Sequence, residues 1–204
     1  MSGLREQKKA EKLQAIREAA WALFAEKGFE DTTVREICER AHIASGTLFL
    51  YVADKHDLLI LLFGERVEEA QRRALARLPK GGLLDQVLHI FGALFDFYAE
   101  DPRLSRSVVR NLLFTEGAAA SRLRGLEAEL FTRIAGLVVE AQARGELRES
   151  AEPYAVTVHL FSLYFMALLS MLNGLADRAS LDGQLRAQAD LLMQGISAQS
   201  WERK

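Results

Sequence analysis

The sequence predicts an all-α chain of about nine helices. Apolar residues recur three and four positions apart in one segment after another, which is the spacing of a helix face. No stretch alternates with period two over a convincing length, as a half-buried strand would. Half of the 204 residues are apolar and the mean hydropathy is close to zero, which suits a soluble chain with a sizeable core.

In chain order, residues 1–8 read as a short arm. Lys9–Lys27 is the first helix, with Leu13, Ile16, Ala20, Leu23 and Phe24 on one face and Gly28 as its stop. Phe29 then plugs a small core. Val34–Ala41 places Val34, Ile37, Cys38 and Ala41 on one face. Thr33 before it and Glu36 three residues on have the spacing of a capping box. After a break at His42–Ala44, a second short helix runs from about Ser45 to Val52, with Leu48 and Val52 inward. A fourth helix, Asp54 to about Leu78, buries Leu58, Leu59, Leu62, Phe63, Val67 and Ala70 and ends at Pro79–Gly82. Leu83–Glu100 carries the stripe Leu84, Val87, Leu88, Phe91, Leu94, Phe95 and Tyr98. Asp101-Pro102 opens a helix to about Thr115, Ala118–Arg144 forms a long one stopped at Gly145, and Pro153–Asn173 and Leu181 to about Ser200 complete the chain.

The pair of short helices is the stretch with a functional signature. Thr32–Lys55 has the layout of a helix-turn-helix, whose second helix enters the DNA major groove while the first crosses the backbone. Ser45, Gly46, Thr47, Phe49, Leu50 and Tyr51 face out. Thr47 and Tyr51 can place hydroxyls on phosphates, Thr33 adds the N-terminus of a helix, and Lys55 adds a charge. Ser45, Gly46, Phe49 and Leu50 are placed for base edges, where Phe49 and Leu50 can give only apolar contact, to thymine methyls. Lys8, Lys9 and Lys12 can follow the minor groove or simply be solvated. Charge does not advertise DNA: residues 1–55 hold nine basic and nine acidic side chains, and only the arm to Lys12 is basic, at four against two.

These residues carry a resemblance. From about Lys9 to Glu69, AAWALFAEKGFEDTTVREICERA and then SGTLFLYVADKHDLL resemble the DNA-binding region of the TetR/AcrR family of bacterial transcriptional regulators. Three positions depart from its pattern: His42 stands for the usual turn Gly, Ala44 for the usual Ser cap, and Phe49-Leu50 for the usual Tyr-His pair. The resemblance implies a DNA-binding domain over residues 1–55 and a helical effector-binding and dimerisation domain over 56–204. It implies a homodimer on a pseudo-palindromic operator, most often a repressor. Separately, the lone cysteine cannot form an intrachain disulfide, which is consistent with a cytoplasmic protein. In the family the last two helices form a four-helix interface, here residues 153–173 and 181–200.

A small, mostly apolar or amphipathic effector would sit among the aromatics of the second region. The candidates are Phe63, Phe91, Phe95, Phe114 and Phe131, with His159, Ser162 and Met166 on one face of the eighth helix. Two other readings stay open: a DNA-binding regulator without an effector, and an all-α enzyme using the pocket. The sequence shows no catalytic constellation, no cofactor motif and no metal-ligand spacing among its four His residues, and the lone Cys38 reads as an inert core thiol. Ala155–Leu172 lacks any charge and meets the length of a membrane span. Its scattered polar residues and the soluble character of the rest favour burial on both sides, against the protomer core and a second subunit.

Overall fold

The computed structural model describes residues 2–112 and 117–197. Among them are nine helices: α1 (Ser2–Lys27), α2 (Val34–Arg40), α3 (Ser45–Leu48), α4 (Lys55–Ala76), α5 (Leu83–Glu100), α6 (Pro102–Leu112), α7 (Ala118–Ala143), α8 (Pro153–Leu172) and α9 (Arg178–Ile196). No strand occurs among the described residues. A lone antiparallel bridge joins Leu147 to Ser197. The all-α expectation holds, and the helices fall where periodicity placed them, with three differences.

α1 starts at Ser2, so the expected arm is helical. Its first turns contain no Pro or mid-run Gly to break them beyond Gly3, and Gln7 donates to Glu11 one turn on at 3.2 Å. α3 stops at Leu48 instead of Val52. Beyond it the backbone tightens to three-residue spacing, with Leu50 N donating to Thr47 O at 3.3 Å and Tyr51 N to Leu48 O at 2.9 Å. α9 begins one turn early because Asp177 caps it, its carboxylate accepting from Ser180 N at 2.8 Å. The predicted interface segment 181–200 ends in residues 198–200, which lie outside the described residues.

The chain divides into two compact units that do not follow its order. One comprises Met1–Arg66 with Asp101–Leu123, the other Val67–Glu100 with Arg124–Lys204. In the first unit Ile16, Ala20 and Phe24 of α1, Ile37 and Cys38 of α2, Leu48 of α3, and Leu58 and Leu59 of α4 are buried. Phe29 sits edge-on to Phe24 at 5.4 Å. Arg66 lies 3.5 Å over the Trp21 ring, and Arg17 pairs with Glu65, so α1 and α4 are joined by polar contacts as well as by the core.

In the second unit α9 packs on both α5 and α8. α5 is turned from its predicted stripe: Val87, Phe91, Leu94 and Phe95 are buried as expected, Leu83, Ile90 and Phe97 are inside too, and Leu84, Leu88 and Tyr98 are half-buried. Arg178 binds Asp96 at 2.7 Å and Asp182 at 3.0 Å, and Arg186 binds Asp85 at 2.6 Å, fastening α9 along α5. α7 ends at Gly145, whose φ of +74° is the left-handed stop that glycine adopts without penalty. α8 opens on Pro153 with Glu152 as its cap. Only one of its sides is inside: Val156, Thr157, Leu160, Tyr164, Leu168, Met171 and Leu172 are buried, while Tyr154, Ala155, His159, Ser162 and Met166 are exposed. By length and composition α8 could cross a membrane, with 39% of its most apolar window buried within the chain.

Candidate functional site

α2 is short, so its ends must be fastened, and both are. At the start, the expected capping box is formed: Glu36 N donates to Thr33 Oγ1 at 3.3 Å, and Thr33 N donates to the Glu36 carboxylate at 2.9 Å. Lys27 also binds that carboxylate, and with the Thr33 hydroxyl and N–H it holds the Glu36 pKa down to about 2. At the end, His42 takes φ +53°. His42 N donates to Glu39 O at 3.2 Å and Ile43 N reaches back to Cys38 O at 3.0 Å, the pairing of a Schellman turn. The turn thus has the left-handed residue that its shape requires, supplied by a His where Gly is usual.

That turn aims the recognition segment outward. Leu48 and Val52 anchor it in the core, as expected. Ser45 and Gly46 are exposed, Thr47 is half-buried, and Phe49 and Leu50 are 52% and 79% exposed. Ala44 is the N-cap and offers no side-chain hydrogen bond, and Ser45 does not replace it. Tyr51 is half-buried, and its hydroxyl donates to Lys9 O at 3.3 Å, tying the segment to α1. Lys8 and Lys9 are exposed on α1.

Two candidates are engaged differently from expectation. The Lys55 ammonium points into the domain. It donates to Phe29 O at 2.8 Å, Glu30 O at 3.2 Å and Thr32 O at 2.8 Å, and lies 4.3 Å from the Phe29 ring centroid. Its three N–H bonds are taken, so it acts as a clasp on the loop between α1 and α2 instead of presenting a charge. Thr33 has its own N–H occupied by Glu36. The other cations nearby are also paired: Arg40 holds Glu26 through two bonds of 2.8 and 2.6 Å, Arg35 holds Glu39 at 2.7 Å, and Arg110 binds Glu30. Lys8, Lys9 and Lys12 have no ion-pair partner among the described residues.

The predicted ligand residues separate into groups. Phe91 and Phe95 of α5 meet at Tyr164 of α8, with centroids 4.5 and 4.9 Å from its ring. Phe161 continues the cluster at 5.6 Å from Tyr164, and Phe131 of α7 joins it at 4.7 Å from Phe161. Burial pushes the Tyr164 and Tyr98 phenols well above their ordinary value, so both stay protonated donors. Phe63 belongs to the other compact unit. Phe114 lies outside the described residues.

His159, Ser162 and Met166 are on the exposed side of α8, away from the aromatic cluster, which corrects their grouping with it. His159 Nδ1 lies 2.7 Å from Ala155 O, and Ser162 Oγ donates to Val158 O at 2.7 Å. The sequence offered Phe161, Tyr164 and Leu168 at the same spacing two residues on, about 200° round the helix and so nearly on its opposite side. A helix with no charge gives no contrast from which to choose its inward side. Among the described residues no three His, Cys, Asp or Glu side chains cluster as metal ligands.

Residues 16–62 match the family model described as bacterial regulatory proteins, tetR family. The HTH-type transcriptional repressor KstR of Mycobacterium tuberculosis is 24% identical over 184 residues, 90% of this chain and 81% of its own. The fatty acid metabolism regulator protein of Bacillus subtilis is 24% identical over 147 residues, 72% of this chain and 75% of its own. Among solved structures, Thermus thermophilus FadR in complex with lauroyl-CoA is 26% identical with a TM-score of 0.68, over 89% of this chain and 93% of that one. The helix-turn-helix, the all-α architecture and these matches agree: residues 16–62 form a DNA-binding domain of the type found in the tetR family of bacterial regulatory proteins, in a chain similar along most of its length to repressors that carry it.

Proposed function

We propose that this protein is a homodimeric transcriptional repressor that leaves its operator when an acyl-chain ligand binds, and that it acts by binding and not by catalysis. The observation that carries the DNA half is the segment Ser45–Leu50, held outward by the His42 turn and anchored by Leu48 and Val52. Residues 1–55 supply DNA binding and 56–204 effector binding and dimerisation. Ser45, Gly46, Phe49 and Leu50 face bases. Thr47, Tyr51, Lys8 and Lys9 face phosphates, while Thr33 and Lys55 shape the domain behind them.

The ligand half rests on the aromatic cluster of Phe91, Phe95, Phe131, Phe161 and Tyr164. An apolar aromatic surrounding with the Tyr164 hydroxyl within it suits a long acyl chain joined to a polar carbonyl. The similar repressor solved with lauroyl-CoA supports a fatty acyl thioester as the class. The outer side of α8, uncharged and exposed, suits a second copy of the chain in the cytoplasm better than lipid.

The test has two arms. Selection from genomic fragments should enrich an inverted repeat, and affinity for it should fall when a saturated acyl-CoA is added. Ligand can shift the equilibrium only by its differential affinity for the free and DNA-bound forms. No enriched repeat would overturn the DNA half. A repeat whose affinity ignores a series of acyl-CoA chain lengths would leave a regulator without this effector class.

A further inference from the structure

We propose that the recognition segment reads the 5-methyl group of pyrimidines, so that cytosine methylation can substitute for thymine at the contacted positions. The proposal rests on the reading of the segment as a DNA contact and names what it contacts.

The side chains that extend farthest from the domain here are Leu50 and Phe49, at 79% and 52% exposed. Neither has a hydrogen-bonding group, so neither can tell the donor and acceptor patterns of the base edges apart. What remains for an apolar side chain in the major groove is the one apolar feature there, the methyl on C5 of thymine. No Arg or Lys lies between Arg40 and Lys55 in the sequence. Both flanking cations are engaged, Arg40 by Glu26 and Lys55 by three carbonyls. The usual bidentate reading of guanine by a basic side chain is therefore not built into this segment. Exposing two large apolar side chains on an otherwise well-buried domain also calls for an occupant. The segment is fixed by the His42 turn on one side and by the Tyr51–Lys9 contact on the other, so the two side chains arrive at a set depth. Cytosine carries the same C5 position as thymine. A methyl placed there presents the same apolar surface to Leu50 and Phe49.

The experiment uses the full-length dimer and the inverted repeat enriched by selection from random duplexes. Each thymine of a half-site is replaced in turn by uracil, which removes the methyl and leaves the pairing edges intact. At one or two positions affinity should fall about fourfold, the effect of one buried carbon at about 0.8 kcal/mol. At the same positions 5-methylcytosine should bind about fourfold better than cytosine. Leu50→Ala or Phe49→Ala should abolish both differences at its own position, and Leu50→Gln should shift the preference there toward adenine. Circular dichroism of each variant should match the wild type, since both side chains are exposed. Uracil binding as well as thymine at every position would overturn the proposal, as would methyl discrimination that survives both Ala variants. Variants that lose self-association while keeping methyl discrimination would assign these side chains to a protein contact and overturn it too. Failure to enrich any repeat would instead fault the regulator reading itself.

Discussion

Glu36 does two things at once: it closes the α2 capping box and pairs with Lys27. Its carboxyl is held down to about 2 by the Lys27 ammonium first and the Thr33 hydroxyl and N–H next. A depressed folded pKa means that the unfolded chain takes up the proton first as pH falls. The contribution is full above the ordinary value of 4.5 and is lost between there and about 2. Denaturation midpoints of wild type and Glu36→Gln should therefore differ at neutral pH and converge as pH falls through that window. Parallel curves down to pH 2 would show that the box does not hold the helix. The capping box was legible because it is a pattern of neighbours, Thr33 and Glu36, that no other element can change. The fate of Lys55 was not, because its partners Phe29, Glu30 and Thr32 are more than twenty residues away in sequence and reach it only after α1 has turned back.

At the scale of elements, helices with mixed charge and apolar residues reveal their inward side and α8 does not. In α4 the predicted stripe is buried residue for residue, including Leu58, Leu59, Leu62 and Phe63. In α8 the inward side, with Tyr164 and Leu168, lies nearly opposite the side bearing His159, Ser162 and Met166, yet both are uncharged. Packing decides between them: α9 lies against α8, and Tyr164 meets Phe91 and Phe95 of α5. α4 also carries Gly64 in its middle. A Cβ there would stand 3.7 Å from Leu123 Cδ1, an ordinary contact. Gly64→Ala should stabilise the protein by up to about 1 kcal/mol, since Ala loses less backbone freedom in a helix than Gly does. Urea unfolding checks this. A stiffer α4 should also change the ratio of operator affinities with and without effector, and an unchanged ratio would mean that Gly64 has no part in the response.

For the whole molecule, the two compact units interleave along the chain, with Asp101–Leu123 grouped with the N-terminal helices. Sequence periodicity cannot show this, because it reports which side of a helix is inside but not against what. The uncharged outer side of α8 was foreseen as a second buried surface, and Met166 on it is 62% exposed in the single chain. Met166→Glu should leave the protomer fold intact and separate the dimer, because an unpaired carboxylate buried at an interface costs about 3–5 kcal/mol. Sedimentation at micromolar concentration distinguishes the two states, and a variant that remains dimeric would move the interface elsewhere.

The Lys55 clasp has a chemical consequence. To react with an amine-selective reagent, its nitrogen must leave three carbonyls and the face of Phe29 together, which requires the loop between α1 and α2 to open. Lys8, Lys9 and Lys12 are exposed and need no such opening. In limited acylation followed by peptide mass mapping, those three should be modified early and Lys55 last among the lysines of its unit. Its rate of labelling would then be a clock for local unfolding of the DNA-binding domain, readable without any operator, any effector or any substitution in the chain.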